Sequence, residues 1–238
     1  MKTLQKQAVV VHSGGMDSSL CLALAVNEFG AANVMSVSFT YNQRHALELD
    51  RARKISQHFK VEHAEINLDC LSQITKSALI GNDQKIEHEA GKVPNTLVVG
   101  RNGLMARLAG IHAHSLHAKC IYMGVMELEG ANSGYRDCSR AYMDLIQAAL
   151  RVDFDDHSFE IKTPLVFMTK KDTMELGYQL GVLEYLLENT ITCYEGIEKA
   201  GCMKCPACLL RNSGLKIFSL EHPDFKYSYR EQIVNAIA

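Results

Sequence analysis

The 238-residue sequence predicts an α/β fold built on a doubly wound parallel sheet. Short Val-rich runs alternate with stretches of helical periodicity from residue 8 to about residue 180, as in parallel sheets with right-handed crossovers. A glycine-rich turn follows the first apolar run, where such sheets bind ligands. Four clustered cysteines near the C-terminus predict a metal-binding helical elaboration. We therefore expect a single domain over residues 1–238, elaborated by the cysteine segment at 190–210.

The composition is that of an ordinary globular protein, with 47% hydrophobic and 22% charged residues. A net charge of −2 gives no reason to expect nucleic acid or an anionic membrane as a partner. No apolar run approaches the roughly eighteen residues of a membrane span, and the polar start of the chain predicts no signal peptide. Eight cysteines in such a chain indicate a reducing, cytoplasmic setting.

The first predicted strand, Ala8–Val11, leads into the turn His12-Ser13-Gly14-Gly15-Met16-Asp17-Ser18-Ser19, and a helix over Leu20–Phe29 follows. Two glycines let the backbone turn sharply and approach a ligand. The N–H groups and the dipole of the helix start favour an anion there, while Asp17, Ser18 and Ser19 are expected to cap the helix. A capped turn without a ligand is the alternative, although this turn offers more anion-binding groups than a cap needs.

A polar turn follows the second predicted strand, Val34–Tyr41, at the edge where open parallel sheets bind ligands. Arg44 or His45 in this turn is a candidate for contact with phosphate or substrate; the alternative is a solvated turn. The chain continues with a helix over Ala46–Phe59, whose charged residues, Glu48 among them, are expected to face water, a strand over Val61–Ile66 and a long polar loop over 67–94 with one short helix.

A second glycine turn, Gly100-Arg101-Asn102, opens the next predicted helix, Gly103–Ala118. The guanidinium of Arg101 suits a carboxylate or a phosphate, and a local capping or pairing role is the alternative. His114 and His117 have metal-compatible spacing but no acidic or cysteine partner nearby, so ordinary helix residues are favoured. One face of the predicted helix carries Leu104, Leu108, Ile111 and Ser115.

The loop Met126–Ser139 follows a fourth predicted strand, Cys120–Gly124, and is the candidate for substrate recognition because it is rich in donors and acceptors at a strand end. Cys138 in this loop has no paired base visible in the sequence, so a structural thiol is favoured over a nucleophile. The next predicted elements are a helix over Ala141–Leu150 with Leu145 on its apolar stripe, a strand over Phe159–Lys162 and a helix opened by a capping box at Thr169–Asp172. Lys170 at this helix start is a candidate for phosphate, although local sequence favours a solvated side chain.

The second strong signal is the spacing Cys193-x8-Cys202-x2-Cys205-x2-Cys208. Tetrahedral zinc needs four soft ligands that converge from short turns, and four cysteines leave no open coordination position. The pattern therefore predicts a closed, structural zinc site, with an iron–sulfur cluster as the alternative. Two helices, over Ala207–Leu220 and Asp224–Ile237, are expected around and after this segment.

The turn S-G-G-x-D-S after a first strand resembles the pyrophosphate loop of the ATP-pyrophosphatase (PP-loop) superfamily, and the chain nearly end to end resembles the 7-cyano-7-deazaguanine synthase family. Four positions depart from the family patterns: His12, Asn42, Val99 and Arg136. The motifs that carry the resemblance are Ser13–Ser18, Tyr41–His45, Pro94–Thr96, Gly100–Asn102, Ser133–Cys138, Thr163–Leu165 with Lys170, Thr192–Tyr194, Gly201-Cys202, Cys205 and Ala207-Cys208.

The resemblance implies a Rossmann-like fold of the adenine nucleotide alpha-hydrolase type and a cytoplasmic, homodimeric ligase of queuosine biosynthesis. The implied substrates are ATP with Mg²⁺, ammonia and 7-carboxy-7-deazaguanine. ATP would adenylate the carboxylate, ammonia would give the amide, and a second activation would give the nitrile. A structural Zn²⁺ is implied as well, without a membrane or nucleic-acid partner.

The resemblance also implies roles for individual residues. Asp17 would organise the metal or the loop, and Arg101 and Lys170 would offset negative charge during catalysis. ATP binding is assigned to His12, Ser13, Gly14, Gly15, Met16, Asp17, Ser18 and Ser19. Substrate binding is assigned to Arg44, Arg101, Asn102, Ser133, Gly134, Tyr135 and Asp137, and zinc binding to Cys193, Cys202, Cys205 and Cys208.

Three other interpretations remain open on the sequence. The first is a tRNA-modifying thiolase or lysidine-type ligase with the same ATP loop, which the near-neutral charge disfavours. The second is a diverged relative that transfers a deazaguanine to another acceptor, such as a protein in a defence pathway, as the altered loop positions suggest. The third is a non-catalytic nucleotide-binding module stabilised by zinc.

Overall fold

The computed structural model describes residues 5–41, 47–75, 97–130 and 134–236. Five parallel strands form one sheet in the order β3-β2-β1-β4-β5, which confirms the predicted doubly wound class. The order reverses between β1 and β4, so the carboxyl ends of these two strands flank the crevice where such sheets bind ligands. The strands are β1 (Ala8–Val11), β2 (Val34–Thr40), β3 (Glu62–Asn67), β4 (Cys120–Tyr122) and β5 (Glu160–Lys162).

The helices flank both faces of the sheet. Helix α1 connects β1 to β2, α4 precedes β4, and α6 connects β4 to β5. The α-helices within the described residues are α1 (Met16–Phe29), α2 (Leu47–His58), α3 (Leu71–Ile74), α4 (Arg101–Ser115), α5 (Glu127–Gly130), α6 (Arg140–Phe154), α7 (Lys170–Gln179), α8 (Leu183–Asn189), α9 (Pro206–Glu221) and α10 (Arg230–Asn235). None of them combines the length and hydropathy that a membrane crossing requires.

Two apolar cores lie on opposite faces of the sheet because successive residues of a strand point to opposite sides. Ala8 and Val10 of β1 belong to the core shared with α1, α2 and α7–α10, which includes Leu20 and Phe218. Val9 belongs to the core under α4 and α6. All three β1 residues are fully buried, so β1 is the central strand on which both cores meet.

The start of α1 differs from the prediction. The helix begins at Met16, and its N-cap is Gly15, which makes no side-chain capping hydrogen bond. Asp17, Ser18 and Ser19 lie inside the first turn, so their predicted capping role is wrong. Instead, the hydroxyls of Ser18 and Ser19 donate to the carbonyl oxygen of Gly15 at 3.1 and 2.8 Å. An extended glycine can occupy the N-cap position, which brings the helix dipole closer to the loop.

The buried faces of α4 and α6 also differ from expectation. Leu104 and Ile111 are exposed, and α4 instead buries small residues such as Ala106, Ala109 and Gly110. A Cβ at Gly110 would lie 2.6 Å from the side chain of Leu150, so α4 and α6 pack more closely than large side chains permit. On α6, Leu145 is 71% exposed, while Met143 and Leu150 are buried.

Three further boundaries are corrected. The loop Met126–Ser139 contains α5 and a 3₁₀ turn at Arg136–Cys138. Helix α8 was not expected. The last helix covers Arg230–Asn235 and not Asp224–Ile237, because the residues before it run without helical structure and bury Tyr227 and Tyr229 in the core. The capping box of α7 is confirmed, with Thr169 and Asp172 bonded reciprocally.

Gly124, just after β4, permits the close approach of α1. A Cβ at this position would lie 2.9 Å from the backbone nitrogen of Ser18 and 3.0 Å from the carbonyl carbon of Asp17. These backbone atoms belong to the first turn of α1 and are held by the helix. Gly124 therefore sets the distance between β4 and the start of the glycine-rich loop.

We expect Gly124→Ala to lower the free energy of unfolding by about 2 kcal/mol, because the added methyl group displaces helical backbone. Gly177→Ala is the matched control, since its Cβ would meet the nearest atom at an ordinary 3.5 Å inside α7. The control is expected to be neutral or slightly stabilising through helix propensity. Denaturant unfolding of both variants measures the difference; equal stabilities would contradict this account of Gly124.

Candidate functional site

The loop between β1 and α1 rests directly on α2. Gly14 has a φ of +83°, and a Cβ there would overlap the carbonyl oxygen of Glu48 and lie 2.9 Å from the nitrogen of Ala52. Only glycine satisfies both the left-handed backbone and the close contact. The loop is braced by serine hydroxyls, since Ser13 donates its N–H to the Ser18 hydroxyl at 3.1 Å. The first N–H groups of α1 lack partners within the helix and are available to an anion.

The buried side chain of His12 contacts this loop through Ser19. Its ring is fully buried, with Nε2 3.0 Å from the hydroxyl of Ser19 and Nδ1 3.2 Å from that of Ser36. Burial, together with the charge of His63, lowers the pKa of His12 to about 3, so the ring is neutral. The structure thus separates the His12 side chain from the exposed part of the loop, which begins at Ser13.

Asp17 and Lys170 form a partly buried ion pair beside the loop. Lys170 Nζ lies 2.8 and 2.7 Å from the two carboxylate oxygens of Asp17 and 2.8 Å from the sulfur of Met126. Lys170 is only 9% exposed, so the solvated side chain favoured by its local sequence is wrong. Gly214 of α9 makes the burial possible, because a Cβ there would lie 2.5 Å from the Cβ of Lys170.

A second cluster forms around the first turn of α4. Arg101 donates to the Tyr41 hydroxyl at 3.2 Å, and its guanidinium lies 5.7 Å from the centre of that ring. The backbone N–H of Asn102 donates to Asp137 Oδ2 at 3.0 Å, and the Asn102 amide donates to Cys138 Sγ at 3.3 Å. The structure thus brings together Arg101 and Asn102 with residues of the predicted substrate loop.

Asp137 is buried, and its second oxygen, Oδ1, has no hydrogen-bond partner among the described residues. A buried acceptor without a partner is costly in the free protein and is satisfied when a ligand donates to it. The neighbouring Cys138 has a pKa raised to about 11 by burial and by Asp137. Its thiol is therefore protonated near neutral pH, which agrees with the structural role favoured on the sequence.

Glu48 lies between the two clusters and was not expected there. Its backbone oxygen touches Gly14, and its partly buried side chain interacts electrostatically with Arg101. Burial raises the pKa of Glu48 to about 7, although the charge of Arg101 acts in the opposite direction. The expected solvated position of Glu48 is therefore wrong. Raised carboxylate pKa values are common at functional sites, and this signal is visible only in three dimensions.

The four predicted metal ligands converge. The Sγ atoms of Cys193, Cys202, Cys205 and Cys208 all lie within 4.8 Å of one another. Zinc–sulfur bonds of roughly 2.3 Å place tetrahedral ligands about 3.8 Å apart, so this spacing suits one metal ion. The N–H groups of Cys205 and Glu195 lie 3.2 and 3.4 Å from the sulfurs of Cys202 and Cys193. Such bonds stabilise thiolates.

The position of Arg211 also indicates whether the cysteine cluster suits a metal ion. It is 2% exposed, and its Nη2 has no hydrogen-bond partner among the described residues. A Cβ at Gly201 would lie 3.7 Å from this Nη2 and in contact with Cys208 Sγ, so the guanidinium adjoins the sulfurs. Four thiolates around a divalent ion carry net negative charge, which a buried cation offsets. The residues present therefore fit a metal–thiolate centre.

Residues 7–219 match the profile described as queuosine biosynthesis protein QueC. The chain belongs to the QueC family. The match spans the glycine-rich loop, the Arg101 cluster and the four cysteines. Membership in this family supports an enzyme that uses ATP to form a carbon–nitrogen bond with small-molecule substrates.

Three solved structures are similar to this QueC-family chain. NMN synthetase from Francisella tularensis has 16% identity and a TM-score of 0.48, covering 97% of this chain and 83% of its own. NH3-dependent NAD synthetase from Campylobacter jejuni has 14% identity and a TM-score of 0.47, covering 99% and 84%. U34-tRNA thiolase NcsA from Methanococcus maripaludis, with its [4Fe-4S] cluster, has 13% identity and a TM-score of 0.46, covering 98% and 73%. These similarities are too distant to assign residues.

Some predicted site residues lie outside the described part of the chain, namely Arg44 and Ser133, together with the motifs at 42–45 and 94–96. Gly134 and Tyr135 are described, and the side chains of Tyr135 and Tyr194 interact electrostatically. Sequence reasoning did not assign Glu48, Tyr41 or Tyr194 to the site. The last of these directly follows Cys193, which is the one sequence signal that links it to a motif.

The raised pKa of Glu48 predicts a pH-dependent stability. As pH rises above 4.5, the unfolded state ionises first, so this group progressively destabilises the folded state until about pH 7. We therefore expect the difference in free energy of unfolding between Glu48→Gln and wild type to be about 2 kcal/mol more favourable to the variant at pH 8 than at pH 5.

Denaturant unfolding at both pH values measures this gain. Asp50→Asn, on the same helix, is the control, because Lys54 lowers the pKa of Asp50 and no stabilisation at high pH is expected. If Glu48→Gln changed the free energy of unfolding equally at both pH values, the raised pKa of Glu48 would be contradicted.

Proposed function

We propose that this QueC-family chain is a 7-cyano-7-deazaguanine synthase of queuosine biosynthesis. It would use ATP to join 7-carboxy-7-deazaguanine and ammonia and to form the nitrile. The observation that supports the proposal is that the glycine-rich loop after β1 and the cluster around Arg101 are both in contact with Glu48, near the reversal of the sheet. Asp17 of the loop also lies within electrostatic range of Cys138 in that cluster, as is expected if one substrate contacts both. Cytoplasmic location and a homodimer belong to the same proposal.

The proposed chemistry begins with the substrate carboxylate, whose oxygen is a poor leaving group. Attack of this oxygen on the α-phosphorus of ATP releases pyrophosphate and gives an acyl adenylate. Ammonia then displaces AMP and loses a proton, giving the amide. A second ATP activates the amide oxygen with release of pyrophosphate, and loss of AMP and the remaining nitrogen-bound protons gives the nitrile. Each nitrile therefore costs two ATP.

In this proposal the ATP loop, Ser13–Ser19, binds the pyrophosphate end of ATP through the N–H groups of the α1 start. His12 would act through its support of Ser19 below the loop. Mg²⁺, when bound with ATP, would neutralise phosphate charge, and the Asp17 carboxylate is the ligand that this loop offers. Lys170 already lies beside Asp17 and would offset the negative charge that develops on phosphate.

The second cluster suits the deazaguanine acid. Arg101 would offer a planar guanidinium to the carboxylate, and Asp137 Oδ1, which has no partner in the described part of the chain, would accept from the ring N–H groups. Asn102, Gly134 and Tyr135 line the same turn, with Arg44 and Ser133 as further candidates. Positioning of the carboxylate near phosphorus is then the main contribution of this chain to the rate.

The decisive experiment is incubation with ATP, Mg²⁺, ammonium and 7-carboxy-7-deazaguanine, followed by mass spectrometry. We expect the nitrile together with two AMP for each nitrile formed. AMP release without the nitrile would instead indicate another acyl substrate or acceptor. ATP binding without AMP would indicate a non-catalytic module, and tight tRNA binding would indicate a tRNA-modifying enzyme.

Two variants test the assigned charges in the same assay. Arg101→Ala and Lys170→Met are expected to lower kcat/KM at least about a hundredfold, because each removes a preorganised cation. Lys171→Met is the matched control, since Lys171 pairs with Glu221 at the surface and should keep near-normal turnover. Near-normal turnover of Arg101→Ala would exclude the role proposed for it.

We further propose that the cysteine cluster binds structural Zn²⁺, since four ligands within 4.8 Å suit one ion better than a cluster of several irons. Elemental analysis is expected to find one zinc and no iron per chain. Cys208→Ser should lose the zinc and unfold roughly 10 °C lower. Cys70→Ser, at an exposed cysteine, is the control and should retain it. Iron in place of zinc would overturn the assignment.

A further inference from the structure

A group of buried polar side chains adjoins the glycine-rich loop, in a place where apolar packing would be the ordinary support. Four fully buried side chains from the end of β1, α1, β2 and α2 are linked by hydrogen bonds: His12, Ser19, Ser36 and Ser56. A buried polar network is costly unless its members are paired. The hydrogen bonds of this group therefore restrict each side chain to few orientations.

The hydroxyl of Ser19 determines which nitrogen of His12 carries the proton. A hydroxyl has one proton to donate, and the carbonyl oxygen of Gly15, 2.8 Å away, can only accept it. Ser19 Oγ is then the acceptor toward His12 Nε2, which lies 3.0 Å away. In the neutral ring of His12, Nε2 therefore carries the proton and Nδ1 is an acceptor.

Two serine hydroxyls face Nδ1 on the opposite side of the ring. Ser36 Oγ and Ser56 Oγ lie 3.2 and 3.3 Å from His12 Nδ1 and 3.0 Å from each other. His63 of β3 extends the chain, since its Nδ1 lies 2.9 Å from Ser36 Oγ. When His63 Nδ1 accepts from Ser36, Ser56 can donate to His12; when it donates, Ser36 can. The acceptor at His12 Nδ1 is thus satisfied in either tautomer of His63.

Strand β2 also fixes the main chain of His12. The His12 N–H donates to the carbonyl oxygen of Val37 at 2.8 Å, and the His12 carbonyl oxygen accepts from the hydroxyl of Ser38. Ser38 is itself buried. Because both the ring and the backbone of His12 are bonded to the sheet, the Nε2–H group meets α1 from a fixed position.

The contact between His12 and Ser19 acts on one peptide group of the ATP loop. The carbonyl oxygen of Gly15 accepts from the hydroxyls of Ser18 and Ser19 and from the Ser19 N–H, the last at 3.1 Å. Because a peptide group is planar, the direction of this carbonyl also sets the direction of the Met16 N–H. That N–H is the first of α1 and has no partner within the helix, so it is one of the donors offered to an anion.

We propose that His12 is a positioning residue of the ATP loop. In its Nε2–H tautomer it holds the hydroxyl of Ser19 on the Gly15 carbonyl oxygen and thereby orients the Met16 N–H toward a bound phosphate. The ring does not reach the nucleotide, since it is fully buried, so His12 acts through Ser19 alone. The identification of that phosphate with ATP rests on the proposed function.

The test compares three substitutions of His12 in the full-length protein, with MgATP binding measured by calorimetry without the acid. His12→Leu removes both ring nitrogens and is expected to weaken MgATP binding roughly tenfold. His12→Gln places an amide N–H near the position of Nε2 and should recover most of the affinity. His12→Asn reaches only the position of Nδ1 and should not. Equal MgATP affinities of the Gln and Asn variants would overturn the proposal.

A double-mutant cycle separates this contact from a general loss of packing. Ser19→Ala should weaken MgATP binding by about the same factor as His12→Leu, and the double variant should add little, because both changes break one hydrogen bond. Multiplication of the two effects would contradict the coupling. Ser219→Ala is the matched control, since Ser219 is an equally buried helical serine, bonded to the Tyr227 hydroxyl, and should bind MgATP as wild type does.

Two readouts without ligand distinguish failure of this inference from failure of the proposed function. Nitrogen-15 spectra of the histidine rings should show His12 protonated at Nε2 alone between about pH 5 and about pH 8, since burial lowers its pKa to about 3. Amide exchange at Ser19 should be faster in His12→Leu than in wild type and His12→Gln.

A proton on His12 Nδ1, or unchanged exchange at Ser19, overturns the inference whatever the loop binds. The expected spectra and exchange, in a chain that binds MgATP but forms no nitrile, support the inference and reject the proposed reaction.

Discussion

The ion pair of Asp17 and Lys170 joins parts of the chain that are 153 residues apart and determines how the site is built. A lysine as buried as this one is strongly destabilising without a partner, so α7 must lie where Asp17 can meet it. Asp17 is on the first turn of α1, which Gly124 allows to approach β4. Gly214 then lets α9, which begins within the cysteine segment, pack against α7. The need to pair Lys170 with Asp17 thus brings the glycine-rich loop, the end of β4 and the C-terminal helices close to one another.

Charge balance also explains the cluster of residues around Arg101. Arg101 interacts electrostatically with Glu48 and Asp137, much as Lys170 does with Asp17. These carboxylates stabilise cations that, in the proposed reaction, would instead face the phosphates and the carboxylate of the substrates. The balance has a cost, because Glu48 is partly desolvated and its pKa rises toward 7. Asp137 likewise keeps one buried oxygen without a partner in the described chain. Such costs are typical of a preorganised site, in which ligand binding relieves what folding alone does not satisfy.

The sequence predicted what depends on local pattern and missed what depends on distant partners. Alternating apolar runs indicated all five strands, and the cysteine spacing indicated four ligands that do converge. The buried face of α4 was wrong because the periodicity of Leu104 and Ile111 says nothing about how closely α6 approaches. The local sequence favoured a solvated side chain for Lys170 because its partner, Asp17, is far away in the chain. Glu48 looked like part of a charged helix face, since neither its contact with Gly14 nor the electrostatic effect of Arg101 has a local signature. Periodicity reports which residues share a face, and tertiary packing decides which face is buried.

The irregular course of residues 190–205 gives a physical reason for the metal centre proposed beside the glycine-rich loop. Fixing the backbone of each residue costs roughly 1–2 kcal/mol of conformational entropy, which helices and strands offset through repeated hydrogen bonds and packing. This segment has no such repeat, yet it holds the Ile191 N–H 3.4 Å from the carbonyl oxygen of Gly14. A structural metal bound by four thiolates supplies binding free energy on the order of 10 kcal/mol, enough to order much of the segment. Because four cysteine ligands would leave no open coordination position, the proposed ion would order this segment and would take no direct part in the reaction. The proposed metal site would thus hold a segment without regular structure against the glycine-rich loop.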